Sequence, residues 1–354
     1  GEGTSGLYVR GGGTDQNLIL LDGVPVYNAD HLFGFFSVFN PDAIHHVSLV
    51  KGGFPARYGG RLSSVLDIRM KEGNNKEYHG ETSIGLISSK IMLEGPIVKN
   101  KSSFVISARR TYLDVLTQPL IKANNNQASG GYYFYDLNSK INYVLSDKDR
   151  VYLSFYAGQD RAYIKYKDSY FYDNTNYENS SNAGLDWGNI TTALRWNHIY
   201  NKKWFSNVTA TFSRFRFEVG EQFVSKETVS GITTTTDFMF KYFSGIHDWA
   251  IKADFEYHPS PKHRILLGAS DIYHTFIPGS TIFKYNDSSD DNFDIETTYG
   301  NTNVYAHEIS LYAEDEYTVN ARFKINAGVH ASVFPVNNSV YYSVQPRMNA
   351  RYLL

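Results

Sequence analysis

The chain has 354 residues, with 34 basic and 36 acidic side chains, and 16% of its residues are aromatic. It contains no cysteine, which excludes disulfides, thiolate catalysis and thiolate metal sites. The near-neutral charge excludes the basic surface that marks nucleic-acid-binding proteins. The longest uncharged window, residues 325–346, alternates between apolar and polar residues and does not read as a membrane-spanning helix.

Residues 1–76 differ from the rest of the chain by their many glycines and short apolar runs. The run from Leu18 to Leu21 ends at an Asp22-Gly23 turn signal, and glycine pairs separate the later runs. Short strands between glycine turns predict a small mixed sheet. Residues 41–44 begin with proline after Asn40, which predicts one capped helical turn. We therefore expect a compact α+β domain in this region.

From residue 77 to residue 354 the sequence alternates with a period of two. In the stretch from Trp249 to Tyr257, every second residue is apolar and the residues between include Lys252 and Asp254. The stretch from Phe323 to Val333 follows the same pattern. Successive side chains of a strand point to opposite faces, so each stretch predicts a strand with one apolar and one polar face. A soluble sandwich and a membrane barrel both satisfy this pattern.

Three further features favour an antiparallel transmembrane β-barrel. The predicted strands, about twelve in number, are often far longer than the ~5–6 residues typical of soluble proteins. Aromatic residues cluster where strands meet loops. Short and long connections also alternate. The short ones lie at 99–101, 147–149, 201–203, 259–261 and 320–322, and long polar loops are predicted near 114–132, 159–187, 219–239 and 277–304.

Simple geometry relates the barrel to the small domain. Twelve strands would close a barrel ~24 Å across, whereas a domain of this length is about 29 Å in diameter. Twenty-two strands give a barrel of ~44 Å that holds such a domain. We therefore expect residues 77–354 to be the N-terminal part of a truncated barrel, about twelve of an expected 22 strands.

The small domain also resembles a known family. The segments LYVRGGG at 7–13, DGVPVYN at 22–28, VSLVKGG at 47–53 and ARYGGRLSSVLDI at 56–68 resemble the plug domain of TonB-dependent outer-membrane receptors. Residues 79–97 are similar to the first two barrel strands of that family. The segment HLFGFFSVFNPDAI at 31–44 is most similar to the receptors of Bacteroidetes-type bacteria.

This resemblance implies a receptor in the Gram-negative outer membrane that binds an extracellular nutrient and imports it by energy-coupled plug movement. It implies the inner-membrane TonB complex, outer-membrane lipid and lipopolysaccharide as partners, together with a surface-exposed substrate-binding lipoprotein. It implies no enzymatic activity, and we expect no cofactor and no metal. The alternative is a plugged barrel that acts as a scaffold for surface lipoproteins or an assembly complex. A TonB box upstream of residue 1 would favour transport over the scaffold.

The segment after DGVPV carries the candidate ligand-binding residues. His31, Phe33, Phe35 and Phe36 follow a predicted strand, and the family places this segment at the extracellular apex of the plug. Aromatic rings there would suit stacking on sugars, peptides or macrocycles. The alternative is that these rings form the core of the plug or pack against the barrel wall.

Charged residues suggest contacts between plug and barrel. Arg10, Arg57 and Arg61 lie in the plug, and Glu314 and Glu316 lie on a barrel strand. Ion pairs between them would suit an interface that moves. A solvated inner face of the barrel explains the glutamates equally well.

Overall fold

The computed structural model describes residues 17–31, 36–37, 39–59, 64–289, 294–300 and 302–353. A small four-stranded sheet lies at the start, in the order β2-β1-β6-β5, with β1 and β6 parallel and the other pairs antiparallel. Residues 30–31 and 36–37 form a separate antiparallel pair of short strands. The strands are β1 (Asn17–Leu21), β2 (Val24–Pro25), β3 (Asp30–His31), β4 (Phe36–Ser37), β5 (Ile44–Lys51) and β6 (Ser64–Met70).

The predicted helical turn is confirmed as a 3₁₀ turn at Pro41–Ala43. The side chain of Asn40 caps it by accepting a hydrogen bond from the backbone N–H of Asp42 at 3.2 Å. The apolar core beside it contains Leu21, Ile68 and Met70, all about 2% exposed. Tyr156 of the large sheet completes this core, so the two sheets share one apolar cluster.

The large sheet has thirteen antiparallel strands, and twelve follow one another from β7 to β19 with β16 attached beside β15. The predicted strand count and antiparallel order are therefore confirmed. The strands are β7 (His79–Ile84), β8 (Ser88–Val98), β9 (Ser102–Thr111), β10 (Ala128–Val144), β11 (Asp149–Tyr172), β12 (Thr175–Ile199), β13 (Trp204–Val229), β14 (Ile232–Ser260), β15 (His263–Asp287), β16 (Asp294–Gly300), β17 (Val304–Thr318), β18 (Phe323–Val336) and β19 (Ser339–Tyr352).

The short connections lie where they were predicted, but the predicted long loops are wrong. Residues 159–187 and 219–239 are continuous strand, closed by two-residue turns at Asp173-Asn174 and Ser230-Gly231 whose φ angles are positive. Polar residues are frequent on both faces there, so the alternation is weak. The hydrogen-bonded ladder therefore continues without an apolar signal. We call this side of the sheet the long-hairpin end and the other the short-turn end.

The other two predicted loops also contain regular structure. Residues 277–304 include the end of β15 and all of β16. Residues 114–132 contain the helix α1 (Leu113–Asn124) and the start of β10. The helix approaches β10 so closely that a Cβ on Gly131 would lie 2.6 Å from the Cα of Asp114, so glycine is needed there.

The helices of the described residues include none that is long and apolar enough to cross a membrane.

The two faces of the large sheet have different chemistry, as the alternation predicts. Trp249 and Ile251 are 62% and 58% exposed on the face turned away from the small sheet, which we call the outer face. The opposite inner face carries buried polar residues such as Asp248 and His330, which contact the first 76 residues. Within the described residues β7 and β19 are the two edges of the sheet and do not pair with each other.

Candidate functional site

The N-terminal unit, here the described residues from 17 to 76, meets the inner face mainly through polar contacts. Asp22 occupies the turn after β1 with φ of 50° and accepts a hydrogen bond from the backbone N–H of Met70. Its second carboxylate oxygen lies 3.1 Å from Nζ of Lys140, and both side chains are buried. Arg195 donates to the backbone carbonyl of Asp22 at 2.6 Å. One turn is therefore fixed to two barrel strands.

From this turn the chain runs along the inner face toward the long-hairpin end. Ser213 donates to the carbonyl of Pro25 at 2.8 Å, and Asn189 donates to the carbonyl of Asn28 at 3.3 Å. Between them the hydroxyl of Tyr27 donates to Asp248. Backbone carbonyls need partners when buried, and here the barrel supplies them.

His31 lies at the far end of this segment, 1% exposed, in a pocket of the barrel wall. Its Nδ1 is 2.5 Å from Oδ2 of Asp160 and its Nε2 is 3.6 Å from Oδ2 of Asp136. The imidazole stacks on the ring of Phe134 with 3.9 Å between centroids. Asp136 is also held by Arg109, whose Nε lies 2.7 Å away. Two aspartates, one arginine and one histidine thus share a buried site.

The charges of this site favour a protonated histidine. Burial alone would lower the pKa of His31, but the hydrogen bonds and charges of Asp136 and Asp160 raise it above the ordinary value. With His31 charged, the two carboxylates are balanced by two cations. An isolated charge at this depth would be costly, so each member depends on the others.

Arg57 forms a second charged contact on the far side of the N-terminal unit. Its guanidinium pairs with Glu314, whose side chain is fully buried, and with Glu316 at 3.0 Å. Its backbone N–H donates to Glu314 at 3.1 Å. Arg264 pairs with Glu316 at 3.0 Å and with Glu256 at 2.8 Å. The result is a network of alternating charge from the N-terminal unit into three barrel strands.

Strands β18 and β19 hold the segment just before Arg57. Nδ1 of His330 lies 2.8 Å from the carbonyl of Ala56, and Arg347 donates to the carbonyl of Pro55 at 3.2 Å. The ring of His330 reaches Gly59, where a Cβ would lie 2.3 Å from Nε2. A side chain at position 59 would therefore displace the His330 ring from its place beside Ala56.

A cavity of about 580 Å³ remains between the N-terminal unit and the inner face. Leu20, Tyr27 and Arg69 line it on one side, and Asp254, Glu308 and Tyr312 line it on the other. It lies on the short-turn half of β13, β14 and β15. Charged and polar side chains on both sides of this space leave part of the contact surface unpacked.

The predicted site residues fall into three groups. Arg57, Glu314 and Glu316 are brought together. The expectation that His31 is exposed at the apex is wrong, because aspartates of the barrel wall enclose it. Phe36 lies in β4 with its side chain outside the described part of the chain. The remaining predicted residues lie outside the described residues: Arg10, Phe33, Phe35 and Arg61.

Sequence reasoning missed the inner-face partners Asp136, Asp160, Asp248 and Lys140. A signal existed for Asp136, Lys140 and Asp248, because each is a charged residue in a stretch whose opposite face is mainly apolar, whereas Asp160 lies between Gln159 and Arg161. The alternation gives their face, but it does not say which segment of the N-terminal unit they meet. Among the described residues no group of three or more histidine, aspartate or glutamate side chains is arranged to hold a metal ion.

Comparison with protein families assigns the N-terminal part. Residues 1–64 match the family described as TonB-dependent Receptor Plug Domain. No curated protein matches the chain.

Solved structures share the fold. FpvA of P. aeruginosa, solved with heterologous pyoverdines, is 12% identical, with a TM-score of 0.56 over 96% of this chain and 48% of that one. BauA, the ferric preacinetobactin receptor of Acinetobacter baumannii, is 10% identical, with a TM-score of 0.54 over 98% of this chain and 55% of that one. The chain thus spans about half the length of these proteins. At this identity the likeness establishes the fold alone.

Proposed function

The chain carries the plug domain and barrel strands of a TonB-dependent outer-membrane receptor, and from this premise we propose that the full-length protein imports an extracellular nutrient. Family and fold are those of transport receptors rather than of enzymes. In this proposal the ligand binds above the plug, and energy-coupled movement of the plug opens a path through the barrel. No chemistry on the ligand is required.

One observation carries this proposal, namely the polar character of the contact between plug and barrel. Asp22, His31 and Arg57 meet the barrel through ion pairs, and a cavity separates another part of the two surfaces. Interfaces that separate during function are more polar than permanent ones, because water can replace their contacts. A plug that met the barrel through a continuous apolar interface would resist movement.

The orientation of the barrel follows from the same proposal. The short-turn end faces the periplasm and the long-hairpin end faces the outside, as in bacterial outer-membrane barrels. The edge strands β7 and β19 pair with further strands, because unpaired backbone groups in lipid cost several kcal/mol each. A closed barrel of about 22 strands accommodates the plug.

We place the ligand between the plug apex and the barrel wall above it. Phe33, Phe35 and Phe36 contact the ligand in this proposal, whereas His31 anchors their segment to the wall. Arg10 and Arg61 join Arg57 in the plug–barrel contacts. The plug at residues 1–76 then acts as one unit against the barrel that starts at residue 77.

Three kinds of partner belong to the proposal. The TonB complex of the inner membrane pulls the plug from the periplasmic side. Outer-membrane lipid and lipopolysaccharide surround the apolar outer face. A surface-exposed lipoprotein delivers the ligand to the long-hairpin end.

The test compares uptake in cells with and without TonB. The small molecule that co-purifies with the full-length protein is identified by mass spectrometry and supplied in labelled form. We expect import by wild-type cells, binding without import in TonB-deficient cells, and weakened binding by F35A/F36A with a protease-resistant plug. Binding at the same level with no import in either strain would overturn transport and favour the scaffold. A loosened plug with wild-type affinity would overturn the proposed ligand contacts.

A further inference from the structure

The inner wall of the long-hairpin end extends beyond the plug and has its own composition. The contacts with the plug identify which residues form this wall. Asp160, Ser213 and Asp248 all contact the plug and therefore lie on the inner face. The ladder from β11 to β14 runs past these positions without a break as far as Lys241. Every second residue above them is thus also on the inner face.

Aromatic rings dominate this wall on β13, β14 and β15. Phe217 and Tyr242 meet edge to face with 6.4 Å between centroids, and Phe238 and Phe283 do so at 5.3 Å. Phe215 and Phe240 lie on the same face of β13 and β14. Phe240 is 41% exposed, so this surface is open to a ligand.

The charges of the same strands are sorted between the two faces. Every lysine and arginine of β11 to β14 in this region lies on the outer face by alternation. Lys284 of β15 also lies there, because it pairs with the outer-face Met239 beyond the register shift between β14 and β15. Four of them form ion pairs there: Lys241 and Arg216 with Glu218, Lys284 with Glu296, and Arg161 with Asp186. The full set is Arg161, Lys165, Lys167, Arg214, Arg216, Lys226, Lys241 and Lys284.

The inner face of the same region carries only acidic charge among the described residues. Its charged side chains are Asp168, Glu221, Glu227 and Asp287. A wall built to bind a polyanion would place arginine or lysine toward the ligand, because these groups pair with carboxylate and phosphate. Here the lysine and arginine side chains lie at the same level of the sheet as the aromatic wall, but they are on the outer face, away from the ligand.

From this sorting we propose that the receptor selects an uncharged or cationic ligand with apolar ring or C–H faces, and disfavours anionic ligands. The inference rests on the proposed function, because it names the ligand class of the site above the plug. Aromatic faces carry negative electrostatic potential and attract cations and polarised C–H groups. The acidic side chains add a field of the same sign, which lowers the local concentration of anions.

Two adjacent serines provide a matched test of the field. Ser181 lies on the inner face between Tyr166 and Phe223, and Ser180 lies on the outer face between Lys167 and Val224. Residues 1–354 contain no cysteine, so S180C and S181C each introduce one thiol into this part of the protein, and the full-length protein without either substitution measures the background reaction. Both full-length variants, purified in an uncharged detergent, are reacted with a cationic trimethylammonium-ethyl and an anionic sulfonatoethyl methanethiosulfonate.

The measured quantity is the ratio of the cation rate to the anion rate at each thiol. We expect this ratio to be about tenfold higher for S181C than for S180C. Equal ratios, or a higher ratio for S180C, would overturn the inference. The measurement of this ratio requires neither TonB nor transport. It therefore tests the ligand class even if the uptake experiment shows that the protein is not an importer.

A second measurement tests the aromatic wall. The small molecules that co-purify with the full-length protein are compared between F217A/F240A and the outer-face control F243A, which lies on the same strand as Phe240. We expect a neutral or cationic molecule that is lost from the double variant and retained by the control. Recovery of a polyanion, or equal retention by both variants, would overturn the ligand class.

Discussion

The imidazole of His31, in the plug, lies 2.5 Å from the carboxylate of Asp160, which is 129 residues further along the chain on barrel strand β11. Asp136 on the neighbouring strand faces the other ring nitrogen at 3.6 Å. The ring carries the only plug charge of this buried site among the described residues. The charge balance of this site therefore depends on one plug side chain.

Replacing His31 with alanine should loosen the plug without unfolding the barrel. The change leaves Asp136 and Asp160 buried beside a single cation, which costs on the order of 3–5 kcal/mol. We expect plug residues to become sensitive to protease at a lower denaturant concentration, while barrel strands remain protected. His46 is exposed on β5, so H46A is the control and should stay within about 0.5 kcal/mol of wild type. Equal protease sensitivity of H31A and H46A would contradict an anchoring role.

The same contact should make plug docking weaker at high pH. The pKa of His31 is raised above its ordinary value of 6.5, because Asp136 and Asp160 outweigh the effect of burial. The stabilisation is therefore complete below pH 6.5 and is lost as the pH rises through the folded-state pKa. We expect protease sensitivity of the wild-type plug to increase with pH across that range. In H31Q this pH dependence should disappear, and a dependence that persists in H31Q would assign it to another group.

The sequence was sufficient to predict the strands and their faces, but not the long hairpins. From Trp249 to Tyr257 the outer face had to be apolar for lipid and the inner face polar for the plug, so a period of two was visible. From Phe223 to Asp237 polar residues are frequent on both faces, and such a stretch looks like a loop in the sequence. This region is a strand because it pairs with β12 and β15. Such pairing cannot be predicted from the sequence of one segment alone.

The candidate site was predictable only where charge alone identified the partners. Arg57 and Glu314 stand out as opposite charges in plug and barrel. His31 stands beside four phenylalanines in sequence, which pointed to an exposed aromatic apex. The burial of His31 depends on Asp160, which is 129 residues away in the sequence. The residues around His31 do not predict a contact over that separation.

Arg57 and Glu314 should be energetically coupled. Glu314 is fully buried and Arg57 is its plug partner, so removing Arg57 leaves the Glu314 carboxylate without its cation, whereas removing Glu314 leaves Arg57 paired with Glu316. In a double-mutant cycle of R57A, E314A and R57A/E314A, we expect a coupling free energy of ~1–3 kcal/mol for plug release. R57K should retain part of it, because lysine keeps the charge but not the planar fork. Additive single effects would show that the two side chains act independently.

The register of β18 predicts opposite responses to arginine at neighbouring positions. Val329 is 41% exposed on the outer face, where lipid lies, so V329R should cost ~2–4 kcal/mol. His330, the inner-face neighbour of Val329, is not a suitable control, because it is buried under the plug and contacts Ala56, so arginine there would displace the plug. Asn326 is the better control, because it lies on the inner face opposite Glu316, where an arginine gains an acidic neighbour. The free energy of unfolding of full-length V329R and N326R in bilayers is measured by denaturant titration. We expect V329R to be less stable than N326R by at least ~2 kcal/mol. Equal free energies would reject the assigned faces of β18.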